Sequence, residues 1–315
     1  MTWRIPCHPV RPDASHSPAV SASPCSPDAA VPRTPQRAAG TPPPGPRVKV
    51  VASTNVYGSI AAQIGGDHVE VTSIISDPTQ DPHSYEADTR NQLAISKAQL
   101  VIENGGGYDD FVDRMLKSGD NSSAQKINAV EVSGKQAPAG GELNEHVWYD
   151  FPTVAKVADR IAAALGQVDP DDATGFEKNA EAFKAKLAPL ESKEAQIKKE
   201  HAGEGIGVTE PVPLYLTGAS GLVDRTPEEF SEAVEEGADV SPKVLKETLA
   251  LYSAGKVRAL VYNEQTSGPQ TEKVKKAAES AGTPVVPVTE TLPKGEDYVG
   301  WMTSNVNALS DALTR

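Results

Sequence analysis

The chain has 315 residues, 38% of them apolar, a mean hydropathy of −0.39, and 43 acidic against 30 basic residues for a net charge of −13. That length admits about two domains. The charge repels nucleic acid and anionic membrane surfaces while concentrating cations, and no apolar run approaches the roughly 18 residues that a membrane-spanning helix needs.

Residues 1–46 form a Pro-rich N-terminal tail that holds 12 of the 26 prolines and both cysteines, with four Arg, two Asp and no hydrophobic periodicity. Such a segment buries too little apolar surface to offset the entropy of ordering, so disorder is expected over 1–46. The longest apolar stretch there, around Ala19 to Ala22, is too short and too broken by Ser and Pro for a secretory h-region. Cys25 in SASPCS lacks the apolar run that a lipid-anchor cysteine follows and reads as an incidental thiol. The remainder has no cysteine, which excludes a disulfide framework and thiolate metal ligation there.

From Val48 the pattern is α/β. VKVVAS (48–53) reads as a strand, NVYGSIAAQIG as a helix and VEVTSII (69–75) as a strand. A helix near 89–97, a strand QLVIEN (99–104), a helix from Tyr108 to Leu116, a strand near 126–131 and a helix from Pro152 to Leu165 continue the alternation. This rhythm implies mostly parallel sheets covered on both faces. Residues 171–201 break it: they are rich in Ala, Glu and Lys, with Phe176, Phe183, Leu187 and Leu190 at helical spacing. A helix of that length spans about 45 Å, the size of a domain, and reads as a strut between lobes, kinked or disturbed at Pro189. Strands are then expected at IGVTE (206–210), RALVYN (258–263) and PVVPVT (284–289), and helices near 242–254, 269–281 and 298–313. The expected architecture is two Rossmann-like lobes, 47–170 and 202–315, joined by one rigid helix.

Four candidate metal ligands, His83, His146, Glu210 and Asp297, lie 63, 64 and 87 positions apart. Ligands so dispersed meet only in a crevice between two halves of a fold. His83 sits in DPTQDPHSYEADTR, where Pro82 holds an extended loop after a strand; His146 lies in NEHVWYDF, Glu210 ends IGVTE before Pro211, and Asp297 opens the final helix. Taken singly, each has an ordinary reading as a loop histidine, a ring packed on Trp148, a strand-end carboxylate or an N-cap. His68 and His201 read as solvated surface, and His8 and His16 belong to the tail.

The stretches DPHSYEAD, NEHVWYDF, IGVTE and GEDYVGWMTSNVNAL resemble the solute-binding components of bacterial ABC importers for zinc and manganese, over roughly residues 48–315. The resemblance implies a rigid helix between two lobes, a transported Zn²⁺ or Mn²⁺ ion held by His83, His146, Glu210 and Asp297, a permease partner in the cytoplasmic membrane, and a monomer acting outside that membrane. It also implies supporting roles for Asp81 behind His83 and for Asp150 or Glu264 behind His146, with Trp148 and Trp301 walling the site. The His-rich loop of many zinc-specific members is absent from KQAPAGGELNE, which leaves zinc and manganese both open. Two imidazoles and two carboxylates suit either ion and exclude the soft thiolate chemistry of Cu(I).

Two other classes remain open on the sequence. A metallohydrolase would need an open coordination position and a general base, yet HExxH, GxSxG, GxxxxGK[ST] and GxGxxG after a strand are all missing. An adhesin or scaffold with a structural metal would unfold when stripped of it.

Overall fold

The alternation of apolar strands and amphipathic helices from Val48 onward resolves, in a computed structural model, into two four-stranded parallel sheets with helices on their faces. The structure describes residues 46–77, 80, 85, 86, 88–139 and 141–314; the tail expectation for 1–45, and the roles given to Asp81 and His83, lie outside the described residues. The first sheet comprises β1 (Val48–Thr54), β2 (Val69–Ile75), β3 (Leu100–Glu103) and β4 (Gln125–Asn128), with α1 (Asn55–Gly65), α2 (Thr89–Ser96), α3 (Phe111–Ser118), α4 (Ala129–Ser133) and α5 (Phe151–Val168) around it. After α6 (Ala173–His201), the second contains β5 (Gly205–Val208), β6 (Val223–Asp224), β7 (Leu260–Asn263) and β8 (Val285–Val288). Its helices are α7 (Leu214–Ala219), α8 (Glu228–Glu235), α9 (Pro242–Ser253), α10 (Pro269–Ser280) and α11 (Tyr298–Leu313).

The two sheets share one topology, β2-β1-β3-β4 and β6-β5-β7-β8. All pairings are parallel, so every strand's carboxyl end in a sheet opens on the same edge, where open α/β sheets place their ligands. The expected strand near 126–131 stops at Asn128, whose side chain accepts from Glu131 N and starts α4 instead. Residues 211–241, which carry no long periodic pattern, hold the short elements α7, β6 and α8.

Helix α6 spans 29 residues, about 44 Å at 1.5 Å per residue. It runs unbroken through Pro189, which lies on its exposed face, the side on which a lost backbone bond costs least. Its buried stripe, Phe176, Ala180, Phe183, Leu187, Leu190, Glu194 and Ile197, recurs at intervals of four and three. All but Glu194 belong to a single apolar cluster that also contains Val50 and Ile60 from the first sheet's side and Val208, Val261 and Leu309 from the second's. Each fully buried Phe or Leu contributes roughly 1.5–3 kcal/mol, so parting the halves along α6 would expose several such residues at once. Large hinge motion is therefore disfavoured. Glu194 is the polar member of the stripe; burial and the neighbouring charges of Glu191 and Asp150 push its carboxyl up to about 8.

Candidate metal centre

The first sheet positions one imidazole. At the end of β3, Asn104 is fully buried; its amide donates to Glu145 O at 2.9 Å and its side-chain oxygen accepts from Tyr57. Gly105, Gly106 and Gly107 follow with φ of +79°, +71° and +97°, a left-handed run that only glycine adopts cheaply. A Cβ on Gly105 would strike the Asn128 side chain at 2.2 Å. The buried Asp109 closes this turn by accepting from the backbone N–H of Asn104 and Gly105 at 2.6 and 2.8 Å. Through Asn104, the end of β3 thus holds the backbone carbonyl of Glu145, the residue before His146.

His146 is fully buried, and one neighbour dictates its protonation. Asn144 donates from Nδ2 to Pro211 O at 2.9 Å, which fixes its amide so that Oδ1 is the acceptor. That Oδ1 accepts from His146 N at 3.0 Å and lies 2.8 Å from the ring Nδ1, which must therefore carry the proton. In the neutral ring Nε2 is then the lone-pair nitrogen, the form that binds a metal. Tyr215 also donates to Asn144 O at 2.6 Å, so the histidine loop is tied to the second half of the molecule at two points. Trp148 stands edge-on to the imidazole, with ring centroids 5.0 Å apart.

The second sheet supplies two carboxylates and an amide from the carboxyl ends of three adjacent strands. Glu210 follows β5, Asn263 ends β7 and Glu290 follows β8; all three are buried. Since β7 lies between β5 and β8, Asn263 stands between the two acids, and its Nδ2 donates both to Glu210 and, at 2.8 Å, to Glu290. Thr266 donates to Glu210 at 2.5 Å, and Tyr108 of the first half donates to Glu290 at 3.1 Å. Gln265 accepts from the backbone N–H of Glu290 and Thr291, setting the direction in which Glu290 leaves its strand. Two further acids complete the cluster. Ligand atoms of Glu145, His146 and Glu235 lie within 4.8 Å of one another, with His146 Nε2 and Glu235 Oε1 3.5 Å apart. Burial, followed by the charges of Glu145, Glu210 and Glu290, pushes the Glu235 carboxyl up to about 9. Glu145 and Glu235 line an open cleft of about 1430 Å³, together with Glu142, Pro211 and Tyr215.

Among the expected residues, the structure places His146 with Glu145 and Glu235, and Glu210 with Asn263, Thr266 and, through Asn263, Glu290; Asp297 belongs to neither group. Asp297 is the exposed N-cap of α11, accepting from Gly300 N at 2.8 Å, and its neighbours Gly295 and Glu296 line a separate groove with Asn55 and Ser59. Glu290 stands with Glu210 instead. Asp150 does not support His146: it caps α5 through Thr153 and pairs with Lys135 at 3.2 Å. Asn144 holds that place. Glu264 is exposed, with its backbone N–H paired to Val288 O. Trp301 packs against Tyr149 and Tyr298 in the core and not on the histidine.

The repeated parallel sheets, the helix shared by both, and a buried histidine beside carboxylates define a bilobed α/β binding protein with a candidate metal site. The family described as ZnuA, zinc-uptake complex component A, periplasmic, matches residues 50–312, and the chain belongs to that family, one of solute-binding proteins and not of enzymes. It is 24% identical over 286 residues to the manganese ABC transporter substrate-binding lipoprotein scaA of Streptococcus gordonii, covering 85% of this chain and 90% of the relative. It is 30% identical over 148 residues to the manganese-binding lipoprotein MntA of Bacillus subtilis, an alignment that spans about half of each chain (46% and 48%). The fold matches the crystal structure of a ZnuA with a TM-score of 0.71 at 22% identity, over 84% of this chain and 99% of the other. It also matches the periplasmic zinc-binding protein TroA of Treponema pallidum, with a TM-score of 0.72 at 18% identity over 86% and 100%.

Proposed function

We propose that this protein captures a divalent transition metal ion, zinc or manganese, in the cleft between its two sheets and hands it to the permease of an ABC importer. The ion is held by His146 Nε2 and by the carboxylates of Glu210 and Glu290; His83 is the fourth ligand by family resemblance. The observation that carries this reading is the Asn144 bridge, which leaves a lone-pair nitrogen facing buried acids that are themselves braced by Asn263, Thr266 and Tyr108. Nitrogen and carboxylate donors suit both ions, and relatives named for manganese and a structural neighbour named for zinc agree with that range.

The first half contributes imidazole and the second carboxylate, so a bound ion bridges the halves and favours their closed arrangement by its differential affinity for it. With α6 and its core resisting wide separation, exchange proceeds through small shifts of the cleft loops, and release follows when the docked permease draws the ligands apart. Protein purified without added metal should carry one equivalent of zinc or manganese by elemental analysis. After chelation it should stay folded and rebind either ion. Chains that retain no metal and bind neither ion at micromolar concentration would overturn the proposal, and unfolding on chelation would point to a structural metal instead.

A further inference from the structure

Glu145 and Glu235 both stand outside the four-ligand set, and of the two the placement of Glu235 is the harder to explain. It occupies the last turn of α8, where the helix dipole disfavours negative charge. Its Oε1 is buried and accepts no hydrogen bond among the described residues, in contrast to Glu210 and Glu290, each braced by two donors. It stands among the like charges of Glu145, Glu210 and Glu290. Nor is the placement accidental: Phe230, one turn and a half earlier on α8, is fully buried in a separate apolar cluster with Val240, Tyr252 and Leu260, anchoring the helix that presents Glu235 to the cleft. A buried acceptor without a donor costs stability unless something absent from the chain satisfies it. The partner that answers all of these deficits at once is a cation bonded to His146 Nε2, 3.5 Å away.

Resting on the capture reading above, we infer that Glu235 is an additional carboxylate ligand, one that raises the oxygen content and coordination number of the site and so biases it toward manganese-like ions over zinc. Zinc is satisfied by four tetrahedral ligands and gains little from a fifth. Hard ions of the manganese type favour carboxylate oxygen and expand toward six-coordination, so for them the extra ligand counts.

The test uses the full chain, stripped by chelation, in wild-type, Glu235→Gln and Glu235→Asp forms, titrated separately with Mn²⁺ and Zn²⁺ against a competing chelator. In Glu235→Gln, Mn²⁺ affinity should fall tenfold or more while Zn²⁺ affinity changes less than threefold, and Glu235→Asp should recover part of the Mn²⁺ loss. The visible spectrum of the Co²⁺-loaded protein should move from a five- or six-coordinate toward a four-coordinate form in Glu235→Gln, a change that a merely structural role would not produce. A Mn²⁺/Zn²⁺ affinity ratio equal to wild type, whether both affinities hold or fall in parallel, overturns the inference while leaving the capture reading intact. Wild-type protein that binds neither ion overturns the capture reading and this inference with it.

Discussion

Glu290 and Asp297 compete for one role, and substituting each separates them. In Glu290→Gln the side chain keeps its size and one acceptor for Tyr108 or Asn263, but a formal charge disappears from the cluster. For a divalent ion this removes a charged ligand, and affinity for Zn²⁺ and Mn²⁺ should fall at least a hundredfold, about 2.7 kcal/mol. The empty protein should respond differently. Glu210 and Glu290 both accept from the one Asn263 Nδ2, so their nearest oxygens stand no more than about 5 Å apart. Unit charges at that distance repel by about 3 kcal/mol at an effective dielectric of 20. That relief offsets the weaker hydrogen bonds to Gln, so the melting temperature of stripped protein should not drop. Asp297→Ala should do the reverse. It removes the 2.8 Å cap on Gly300 N, costs about 1 kcal/mol and lowers the melting temperature by about 2–4 °C, with affinity within about twofold of wild type. Competition titration and thermal unfolding of chelated samples read both quantities. If Asp297→Ala loses tenfold or more in affinity while Glu290→Gln binds normally, the assignment of Glu290 is wrong.

Asn144→Ala should free the imidazole to turn and to take the other tautomer, lowering metal affinity by about 10–100-fold as loss of a ligand's supporting group does, with the fold retained by circular dichroism; unchanged affinity would show that the Asn144 bridge is not what orients His146. Glu194 gives a pH signature. Its folded value, raised from 4.5 to about 8, means that the native state holds a proton the unfolded chain releases, so the native state is favoured below about 4.5 and this contribution is lost as pH rises through 8. Discounting the shift by half leaves roughly 2 kcal/mol, so Glu194→Gln should raise the melting temperature at pH 9 by several degrees and change it little at pH 4.5. Equal gains at both pH values would contradict a buried proton at that position.

Much of this was legible in the residues. Strand and helix alternation, and the Phe176–Phe183–Leu187–Leu190 stripe, gave both sheets and the helix they share, because long periodic segments bury whole faces. The interval 211–241 was not legible: β6 has two residues and α7 six, too short for periodicity to register. His146 stood out through the HVWYD stretch around it, and Glu210 because it ends a strand directly before Pro211. Glu290 was obscured by the distinctive final helix that follows, which drew the acidic role onto Asp297. A signal was nevertheless present. Val208-Thr209-Glu210 and Val288-Thr289-Glu290 spell the same tripeptide at the ends of β5 and β8, the two strands that flank β7. The roles of Asn144 and Asn263 depend on amide orientation across 67 and 53 positions of sequence, which no local pattern encodes.

Anomalous X-ray scattering from crystals of manganese-loaded protein, recorded on both sides of the metal absorption edge, tests most directly whether one ion bridges the two halves. A single dominant peak should appear within about 2.4 Å of His146 Nε2 and of one carboxylate oxygen from each of Glu210 and Glu290. A peak beside Asp297, or one bound by residues of a single half, would contradict it.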